Sequence, residues 1–398
     1  MSKVVEFLLN ISYLVFASWV YLIFIHGRHE LINDDLFWSN KIIFEEKVPG
    51  NQRIDNNSDS VCVIIPARNE EKTIKKTLDS IKNQNYKNIN VIVVDDHSSD
   101  KTSEIVKMFK KSFKKVELIT GKDLPSGWVG KTWALKQGVD AANKKKFDYY
   151  LFLDSDISLS QDLLNNVICF IKTQNYIMIS LMAKLNCDTF WEKLLIPPFI
   201  FFFQKMYPFN LVNKKTSSFA AAAGGFIFCK ASVFNNDNLY NKIKNKLIDD
   251  CNIAKLLKQT GNIWLGLTKK VESGRSYNDL KSIWRMVSRT AFEQLKHSFL
   301  LLFICVLGLA LIYLTPIFIL VLSIFLKFDK EFFHLFFLNF SSFGMMLIII
   351  MPTLNFYKVE KVFALALPLS ATLYICMTVT SALNYKLLNG NIWKGRKY

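Results

Sequence analysis

Long apolar runs lie near both ends of the chain and flank a middle region of mixed character. The first run, Val4–Ile25, is interrupted mainly by Glu6 and Asn10 and is close to the roughly 20 residues that cross a bilayer. Three later runs are also long enough to span, namely Ser298–Leu326, Phe332–Met351 and Val362–Leu383. The pattern predicts an N-terminal transmembrane anchor over 1–26 and a C-terminal transmembrane region with a basic tail over 298–398.

The first run has an alternative interpretation as a signal peptide. Its apolar core would then be about 7 to 15 residues long and precede a small-residue cleavage site, and neither feature is evident. We therefore favour an uncleaved anchor. Three C-terminal spans after a cytoplasmic domain would place the tail outside, although Lys386, Lys394, Arg396 and Lys397 favour the inside. A re-entrant or interfacial run among the three would remove this conflict.

The middle of the chain alternates short β-branched segments with helical stretches, after a polar linker predicted over 27–60. Helices are expected to begin near Glu70, Asp100 and Lys131. The predicted strands are Val61–Ile65, Val91–Val94, Val116–Ile119 and Tyr149–Leu153. This alternation is typical of βαβ units around a parallel sheet, so residues 61–297 are predicted to form an α/β domain.

Two further segments bear on the membrane. Residues 190–212 are apolar but contain Pro197, Pro198 and Pro208, with Glu192 and Lys205 among them, which predicts an interfacial segment lying on the bilayer. A helix is also expected from about Asn278 to His297. Its basic residues, Arg285 and Arg289 among them, suit either an amphipathic membrane-surface helix or contacts to a substrate.

Composition narrows the class of protein. The 398 residues are 51% hydrophobic with 34 Phe, yet 21% are charged, so membrane and water-exposed parts are expected to be segregated. A net charge of +17 suits nucleic acid or an anionic membrane surface. The apolar runs decide for the lipid bilayer, and no nucleic-acid partner is expected. The seven Cys form no CxxC pair, which fits a reduced, cytosol-facing domain.

Polar residues follow each predicted strand at the edge where open α/β sheets bind ligands. The first strand leads into Pro66-Ala67-Arg68-Asn69-Glu70, and the second into Asp95-Asp96. A strand followed by a capped helix would explain the first segment, and Asp100 can cap the next helix. Capping leaves Asp95 and Asp96 unexplained, although their carboxylates are suited to a nucleobase and ribose.

The fourth strand ends in Asp154-Ser155-Asp156. Two carboxylates in this arrangement are hard-oxygen ligands for Mg²⁺ or Mn²⁺, which would bridge the protein to a diphosphate. A solvated turn is the alternative. Nearby, Gly130-Lys131-Thr132 superficially suggests a P-loop, but Pro125 stands where that motif requires Gly. Lys131 is therefore expected either to face a phosphate from a helix N-terminus or to be a plain surface lysine.

In order and approximate spacing, P-A-R-N-E, V-D-D-x-S-x-D-x-T and the strand-end D-x-D resemble the family 2 glycosyltransferases. The chain departs from them at His97 and Lys101, where glycine is frequent. The resemblance implies a GT-A nucleotide-sugar-binding, Rossmann-like domain with one N-terminal and about three C-terminal transmembrane helices. It implies a donor site at Pro66, Arg68, Glu70, Asp95, Asp96, Lys131 and Asp154, with a divalent metal, Mg²⁺ or Mn²⁺, at Asp154 and Asp156.

The resemblance also assigns a catalytic base. Family members carry an acid pair where this chain has Asp249-Asp250, and the second acid, here Asp250, would take the acceptor's proton, so that the anomeric centre inverts. One of the pair also suits a helix cap. Gly224 and Gly225 would allow close approach of a substrate, or tight packing. The Gln-x-x-Arg-Trp motif of many membrane-bound members is missing, so donor contacts from Arg285 or Arg289 stay a weaker expectation.

Within family 2, the segments Pro125–Lys131, Ser273–Tyr277 and Trp393–Arg396 look like the hopanoid-associated branch. This implies a nucleotide-sugar donor, a membrane lipid acceptor of the hopanoid type, and a bacterial inner membrane location with the catalytic domain facing the cytoplasm. The alternatives are a processive polysaccharide or polyprenyl-phosphate glycosyltransferase and a non-catalytic membrane scaffold that binds a nucleotide.

Overall fold

The structure, a computed structural model, describes residues 3–24, 42–46, 58–234, 238–246, 248–323, 325, 330–388, 392–393 and 396–397. The chain divides into two compact units. We call the first the sheet unit, which comprises the described residues of Asn40–Asn186 and Tyr207–Ser276. The second, the helical unit, comprises those of Met1–Ser39, Cys187–Met206 and Tyr277–Tyr398.

An eight-stranded sheet in the order β3-β2-β1-β4-β7-β6-β8-β5 forms the centre of the sheet unit. Its strands are β1 (Val61–Ala67), β2 (Ile89–Asp95), β3 (Val116–Thr120), β4 (Tyr149–Leu153), β5 (Ile157–Leu159), β6 (Met178–Lys184), β7 (Phe226–Lys230) and β8 (Ile263–Ser273). The first four strands lie where the sequence predicts them and run parallel. The predicted parallel βαβ units are thus confirmed for these strands. The sheet as a whole is mixed, because β7 runs antiparallel to both β4 and β6.

The helices of the sheet unit are α2 (Ile74–Lys82), α3 (Thr102–Ser112), α4 (Gly130–Asn143), α5 (Leu163–Thr173), α7 (Phe209–Asn213), α8 (Asn238–Ile243) and α9 (Asp249–Lys258). The strands β1 and β2 are almost wholly buried between the helices. This burial explains their near-continuous apolar sequences, since a strand covered on both faces does not alternate. Because β1, β2 and β4 run parallel, their carboxyl ends meet at one edge of the sheet.

Part of the predicted linker belongs to the sheet unit. Phe44 is fully buried and its ring lies 5.6 Å from that of Phe170, while Ile43 forms a bridge with Leu267 of β8. Oε1 of Glu45 accepts a hydrogen bond of 2.6 Å from the Thr268 hydroxyl. The linker predicted over 27–60 therefore includes a packed segment at 42–46. Residues 25–41 and 47–57 lie outside the described part of the chain.

The helical unit contains α1 (Lys3–Phe24), α6 (Phe190–Met206), α10 (Leu280–Ser288), α11 (Ala291–Gln294), α12 (Phe299–Leu309), α13 (Thr315–Ser323), α14 (Lys330–Tyr357) and α15 (Leu367–Leu388). A short antiparallel pair, β9 (Ile392–Trp393) and β10 (Arg396–Lys397), follows. Within the described ranges, four helical segments are long and apolar enough to cross a membrane, namely Lys3–Phe24, Phe299–Ser323, Phe332–Tyr357 and Lys361–Leu387. An α/β domain with one N-terminal and three C-terminal helices of this kind confirms the predicted fold class.

A π-helical turn at Ala310–Leu314 joins α12 to α13. Such a turn interrupts the regular ladder of helical hydrogen bonds, and here Trp19 Nε1 of α1 donates a hydrogen bond of 3.1 Å to the carbonyl of Ile312. The Trp19 ring also packs edge-on against Tyr313 at 5.3 Å between centroids. These two contacts pack α1 against the π-helical turn between α12 and α13.

The proline pair of α6 lies inside the helix, where neither nitrogen can donate a hydrogen bond. The carbonyl of Leu194, four residues before Pro198, accepts a hydrogen bond of 2.9 Å from the Ser370 hydroxyl. The carbonyl of Leu195 accepts one of 2.8 Å from the Tyr374 hydroxyl. Hydroxyl groups of α15 thus satisfy the backbone of α6. The interfacial position predicted for 190–212 stays a prediction.

The helix predicted from Asn278 to His297 is interrupted. It forms α10 and α11 with a break at Arg289 and Thr290, α11 ends at Gln294, and Lys296 and His297 shortly after it have φ of 52° and 56°. This left-handed conformation cannot continue a right-handed helix. The prediction of one continuous helix is therefore wrong.

Candidate active site

The two loops that follow β1 and β2 are joined by hydrogen bonds at the carboxyl edge of the sheet. Asn69 Oδ1 accepts a hydrogen bond of 2.8 Å from the Ser99 amide, and the Glu70 amide donates one of 2.8 Å to Thr102 Oγ1. Pro66, the first of the predicted donor-site residues, lies in β1 opposite Val94 of β2. The P-A-R-N-E and D-D-H-S-S-D segments therefore form one continuous rim.

Arg68, Asp95 and Asp96 are brought together at this rim. Arg68 Nη1 donates a hydrogen bond of 2.6 Å to the Asp96 carbonyl and lies 3.8 Å from the Asp96 carboxylate. Both aspartates are buried. The Asp95 carboxylate accepts hydrogen bonds from the Ser98 amide at 3.2 Å and the Ser103 hydroxyl at 2.5 Å. Asp95 therefore orders the loop, as well as lying where donor contacts are predicted.

Asp100 has a structural role that the sequence only partly indicates. Its carboxylate accepts a hydrogen bond of 3.0 Å from the Thr102 amide at the start of α3, as a capping residue would. The other oxygen accepts one of 3.0 Å from the Glu71 amide of the neighbouring loop. Although burial opposes it, the hydrogen bonds from Thr102 and Glu71 lower the pKa of Asp100.

A lysine and three carboxylates converge behind the rim. Lys131, in the first turn of α4, places Nζ 2.8 Å from Asp154 Oδ1. A methyl group added at Gly224 would lie 3.3 Å from the same Nζ and 3.0 Å from Asp250 Oδ2. The Asp154 amide donates a hydrogen bond of 3.2 Å to the carbonyl of Gly225. Gly224 thus allows Lys131 and Asp250 to approach the backbone closely.

The charges of this cluster shift each other's ionisation. Burial would lower the pKa of Lys131, but the charges of Asp154, Asp249 and Asp250 raise it, so the ammonium is retained. Burial and the adjacent charge of Asp249 raise the pKa of Asp250 to about 6. Burial also raises the pKa of Asp249, while Lys131 opposes that rise. Asp250 is therefore a carboxylate that can exchange a proton near neutral pH.

The second acid of the D-x-D segment lies in a different set of contacts. Asp156 Oδ2 accepts a hydrogen bond of 3.0 Å from the Ser273 hydroxyl and lies 3.4 Å from Arg275 Nε. Arg275 Nη2 lies 3.2 Å from Glu70 Oε1. Burial raises the pKa of Asp156 and Arg275 opposes this rise. Glu70, which is predicted to bind the donor, therefore also forms an ion pair with Arg275.

Sequence reasoning gave Ser273 and Arg275 no role at the site. Both lie at the carboxyl end of β8, a strand that the alternation pattern did not reveal because its first six residues are all buried. The rule that ligand-binding residues gather at the carboxyl ends of strands would have found them once β8 had been recognised.

A divalent metal fits the chemistry of this site. Asp154 and Asp156 are hard-oxygen ligands, and Mg²⁺ is usually held by one or two carboxylates together with substrate phosphates. Among the described residues, Lys131 lies near three carboxylates, those of Asp154, Asp249 and Asp250. Arg275 contacts two more, those of Asp156 and Glu70, so the acids of the site outnumber these two cations. No cluster of three or more His, Cys, Asp or Glu side chains arranged for a metal occurs in the described ranges.

Arg285 and Arg289 belong to the helical unit. Arg285 lies in α10, whose Ile283 and Val287 pack with Leu194 and Leu195 in one hydrophobic cluster. Arg289 follows the end of α10. This packing accounts for the apolar face of the helix, and donor contacts from either arginine remain a prediction.

Part of this site lies in a region that matches a known protein family. Residues 62–236 match the family described as Glycosyl transferase family 2, which agrees with the resemblance of the motifs over this part of the chain. The match covers β1, β2 and β4 with the D-x-D segment, and it ends before Asp249 and Asp250.

The seven cysteines, all within described residues, are free thiols.

Two curated relatives are similar over part of the chain. A 4,4'-diaponeurosporenoate glycosyltransferase of Staphylococcus haemolyticus is 33% identical over 134 residues, 33% of this chain and 32% of the relative. An amylovoran biosynthesis glycosyltransferase, AmsB, of Erwinia amylovora is 36% identical over 115 residues, 28% of this chain and 36% of the relative. The chain thus spans about a third of the length of each.

One solved structure is similar over nearly the whole chain. The mannosyltransferase PcManGT from Pyrobaculum calidifontis, solved in complex with GDP-Man and Mn²⁺, has a TM-score of 0.50 and 13% identity, with 96% of this chain and 99% of that chain covered. The similarity confirms the GT-A fold.

Proposed function

Because residues 62–236 match the Glycosyl transferase family 2, we propose that the chain is an inverting glycosyltransferase that moves a sugar from a nucleotide-diphosphate sugar to a membrane lipid. The observation that carries the proposal is the convergence of Asp250 and Lys131 at Gly224, where a methyl group would lie 3.0 Å from one and 3.3 Å from the other. The carboxylate can take the proton of the attacking hydroxyl, and the ammonium can stabilise the departing diphosphate, so the two groups beside Gly224 serve the two steps of a displacement.

Asp250 is the base in this mechanism. An acceptor hydroxyl must lose its proton as it attacks the anomeric carbon, and Asp250, with a pKa of about 6, is largely ionised at neutral pH and can take that proton. A single displacement then inverts the anomeric centre, so an α-linked donor gives a β-linked product.

The departing nucleotide diphosphate needs positive charge. Lys131 supplies a permanent ammonium close to Asp154, at the N-terminus of α4, where helix amides also favour anions. Asp154 and Asp156 would hold the divalent cation, which would stabilise charge on the leaving diphosphate. Arg68, Asp95 and Asp96 form the rim at which we place the nucleoside.

The lipid acceptor is proposed from the helical unit. Four helices are long and apolar enough to span a bilayer, and such a chain meets its acceptor at the membrane. We propose a hopanoid-type lipid, on the resemblance of Ser273–Tyr277 and Trp393–Arg396 to that branch. We place the protein in the bacterial inner membrane with the sheet unit facing the cytoplasm. The acceptor named for the S. haemolyticus relative, 4,4'-diaponeurosporenoate, belongs in the same test.

Two alternatives remain to be distinguished by experiment. A polyprenyl-phosphate or polysaccharide glycosyltransferase would use the same donor site with another acceptor. A non-catalytic scaffold would bind nucleotide but release no sugar. The buried carboxylates and the raised pKa of Asp250 favour an enzyme, since perturbed ionisation is frequent at catalytic sites.

The test is sugar transfer by the full chain purified in detergent. Radiolabelled nucleotide sugars are combined with Mg²⁺ or Mn²⁺ and extracted lipids, including hopanoids, carotenoid acids and polyprenyl phosphates. Label should enter the lipid phase with wild type but not with Asp156→Ala or Asp250→Asn. Asp140→Asn serves as the control, because Asp140 pairs with Lys136 on α4 outside the cluster. The proposal would be contradicted if wild type transferred no sugar with any combination of donor and lipid, or if Asp250→Asn transferred as much sugar as wild type.

A further inference from the structure

Arg275 bridges two acids that reach the same edge of the sheet from different elements. Its Nε lies 3.4 Å from Asp156 Oδ2 and its Nη2 lies 3.2 Å from Glu70 Oε1. The guanidinium is planar with several donors in a fixed fork, so one side chain can contact both carboxylates. Glu70 is held in turn by a hydrogen bond of 3.1 Å from Thr73 Oγ1.

The backbone around Arg275 fixes this arrangement. The Gly274 amide donates a hydrogen bond of 2.6 Å to the Asp156 carbonyl, and the Ser273 hydroxyl donates one to Asp156 Oδ2. The Arg275 amide donates one of 3.2 Å to Ser273 Oγ, and the Arg275 carbonyl accepts one of 3.3 Å from Asn186. The segment after β8 is therefore attached to the D-x-D turn by both backbone and side chains.

The contact places a cation on a carboxylate that the proposed function gives to a metal. A guanidinium and a divalent cation both seek the oxygens of Asp156, and like charges repel strongly at short range in a partly buried site. A divalent cation bound to Oδ2 would compete with Arg275 for this oxygen, so Arg275 would have to move away from Asp156 for the metal to bind there.

We propose that Arg275 is a built-in competitor of the divalent cation at Asp156, and that it exchanges Asp156 for the donor diphosphate when metal and donor bind together. Glu70 keeps the guanidinium at the site during the exchange, so that it is at hand for the diphosphate charge. The carboxylate of Asp156 is then stabilised by Arg275 before metal binds, and metal binds well only together with a donor. This inference rests on the proposed function only for the identity of Asp156 as a metal ligand.

The test measures metal binding directly. Mn²⁺ is titrated into the detergent-purified full chain without nucleotide, and free Mn²⁺ is followed by electron paramagnetic resonance. Arg275→Ala should bind Mn²⁺ about tenfold more tightly than wild type, because a repelling charge and a competitor are both removed. Arg275→Lys should lie between the two, since an ammonium keeps the charge but cannot bridge two carboxylates.

Lys145→Ala is the matched control. It also removes one positive charge and one ion pair, that with Glu117, but it lies before β4, at the opposite edge of the sheet. Its Mn²⁺ affinity should equal that of wild type. Thermal unfolding without metal shows whether each variant is folded, and if Arg275→Ala is not, Arg275→Lys alone must still bind Mn²⁺ more tightly than wild type.

Unchanged or weaker Mn²⁺ binding by a folded Arg275 variant would overturn the inference, as would no saturable binding by either protein. Sugar transfer is assayed on the same samples. Transfer by wild type together with unchanged Mn²⁺ affinity in the variant would reject the competition and leave the proposed function intact. Tighter Mn²⁺ binding without transfer from any donor would support the competition and count against the proposed function.

Discussion

The ammonium of Lys131 lies 2.8 Å from Oδ1 of Asp154, and the charges of Asp249 and Asp250 act on it as well. Lys131 is thus the cation at which the D-x-D segment and the acid pair of α9 meet. A plain surface lysine was the alternative interpretation of the sequence. The ion pair and the three acidic neighbours instead favour a site residue, and the charge of Lys131 opposes the rise in the pKa of Asp249 and of Asp250.

Lys131→Met should reduce the kcat/KM for the nucleotide sugar about a hundredfold or more, because a preorganised positive charge at the leaving group is lost. Lys136→Met is the matched control. Lys136 lies on the same helix and pairs with Asp140 at 2.7 Å, away from the acid cluster. Steady-state transfer assays over a range of donor concentrations check the difference. Equal losses in the two variants would mean that only the stability of α4 had changed.

The pH dependence of transfer follows from the acid pair. Asp250 must be ionised to accept a proton, so kcat should fall as pH decreases through about 6, its raised pKa. Asp249→Asn removes a neighbouring negative charge that helps to raise this pKa. The acid limb of the Asp249→Asn profile should therefore shift to lower pH.

The control for this profile is Asp140→Asn, which removes a carboxylate from α4 without touching the pair. Its acid limb should coincide with that of wild type. An Asp249→Asn limb that stays in place, or moves to higher pH, would show that Asp250 does not govern the profile.

The sequence predicted the site unevenly, and particular residues show why. Asp95, Asp96 and Asp154 follow strands whose β-branched runs are separated by helices, so their common edge could be inferred. Ser273 and Arg275 follow β8, whose apolar residues have no period that distinguishes a buried strand from a buried helix. Ser273 and Asp156 are in contact although they are 117 residues apart in the sequence, and no local pattern encodes that pairing.

His97 illustrates a departure that the sequence could locate but not explain. The family frequently has glycine there, and His97 has φ of 54° in the structure, a left-handed conformation that costs an L-residue roughly 1–2 kcal/mol. His97→Gly should therefore raise the midpoint of thermal unfolding, or leave it unchanged where the added chain entropy of glycine offsets the relief.

Asn69 is the matched comparison, because its φ is also 54° but its Oδ1 accepts the hydrogen bond from the Ser99 amide. Asn69→Gly should lower the unfolding midpoint, since the lost hydrogen bond is worth about 1 kcal/mol. Unfolding of the detergent-solubilised protein, followed by intrinsic fluorescence, measures both. Shifts of the same sign and size in the two variants would contradict this explanation.

The proline pair of α6 gives the last prediction. Pro198 removes the backbone donor that would serve the Leu194 carbonyl, and Ser370 of α15 donates a hydrogen bond to that carbonyl instead. Tyr374 of α15 donates to the next carbonyl, that of Leu195. In a membrane a backbone carbonyl without a partner is unfavourable, so neighbouring hydroxyl groups are the means by which such helices tolerate proline. Tyr374→Phe keeps the ring and its packing but removes the donor, and it should destabilise the helical unit by about 1 kcal/mol.

Thr380→Val tests whether any hydroxyl on α15 has this effect. Thr380 donates to the Cys376 carbonyl of its own helix at 2.8 Å, a carbonyl that already has a helical partner, so its removal should change stability little. Ser370→Ala should resemble Tyr374→Phe, and the double variant should lose more than either, because the two hydroxyls serve different carbonyls. If Tyr374→Phe and Thr380→Val unfold at the same temperature as wild type, the hydroxyls of α15 do not stabilise the proline-containing helix.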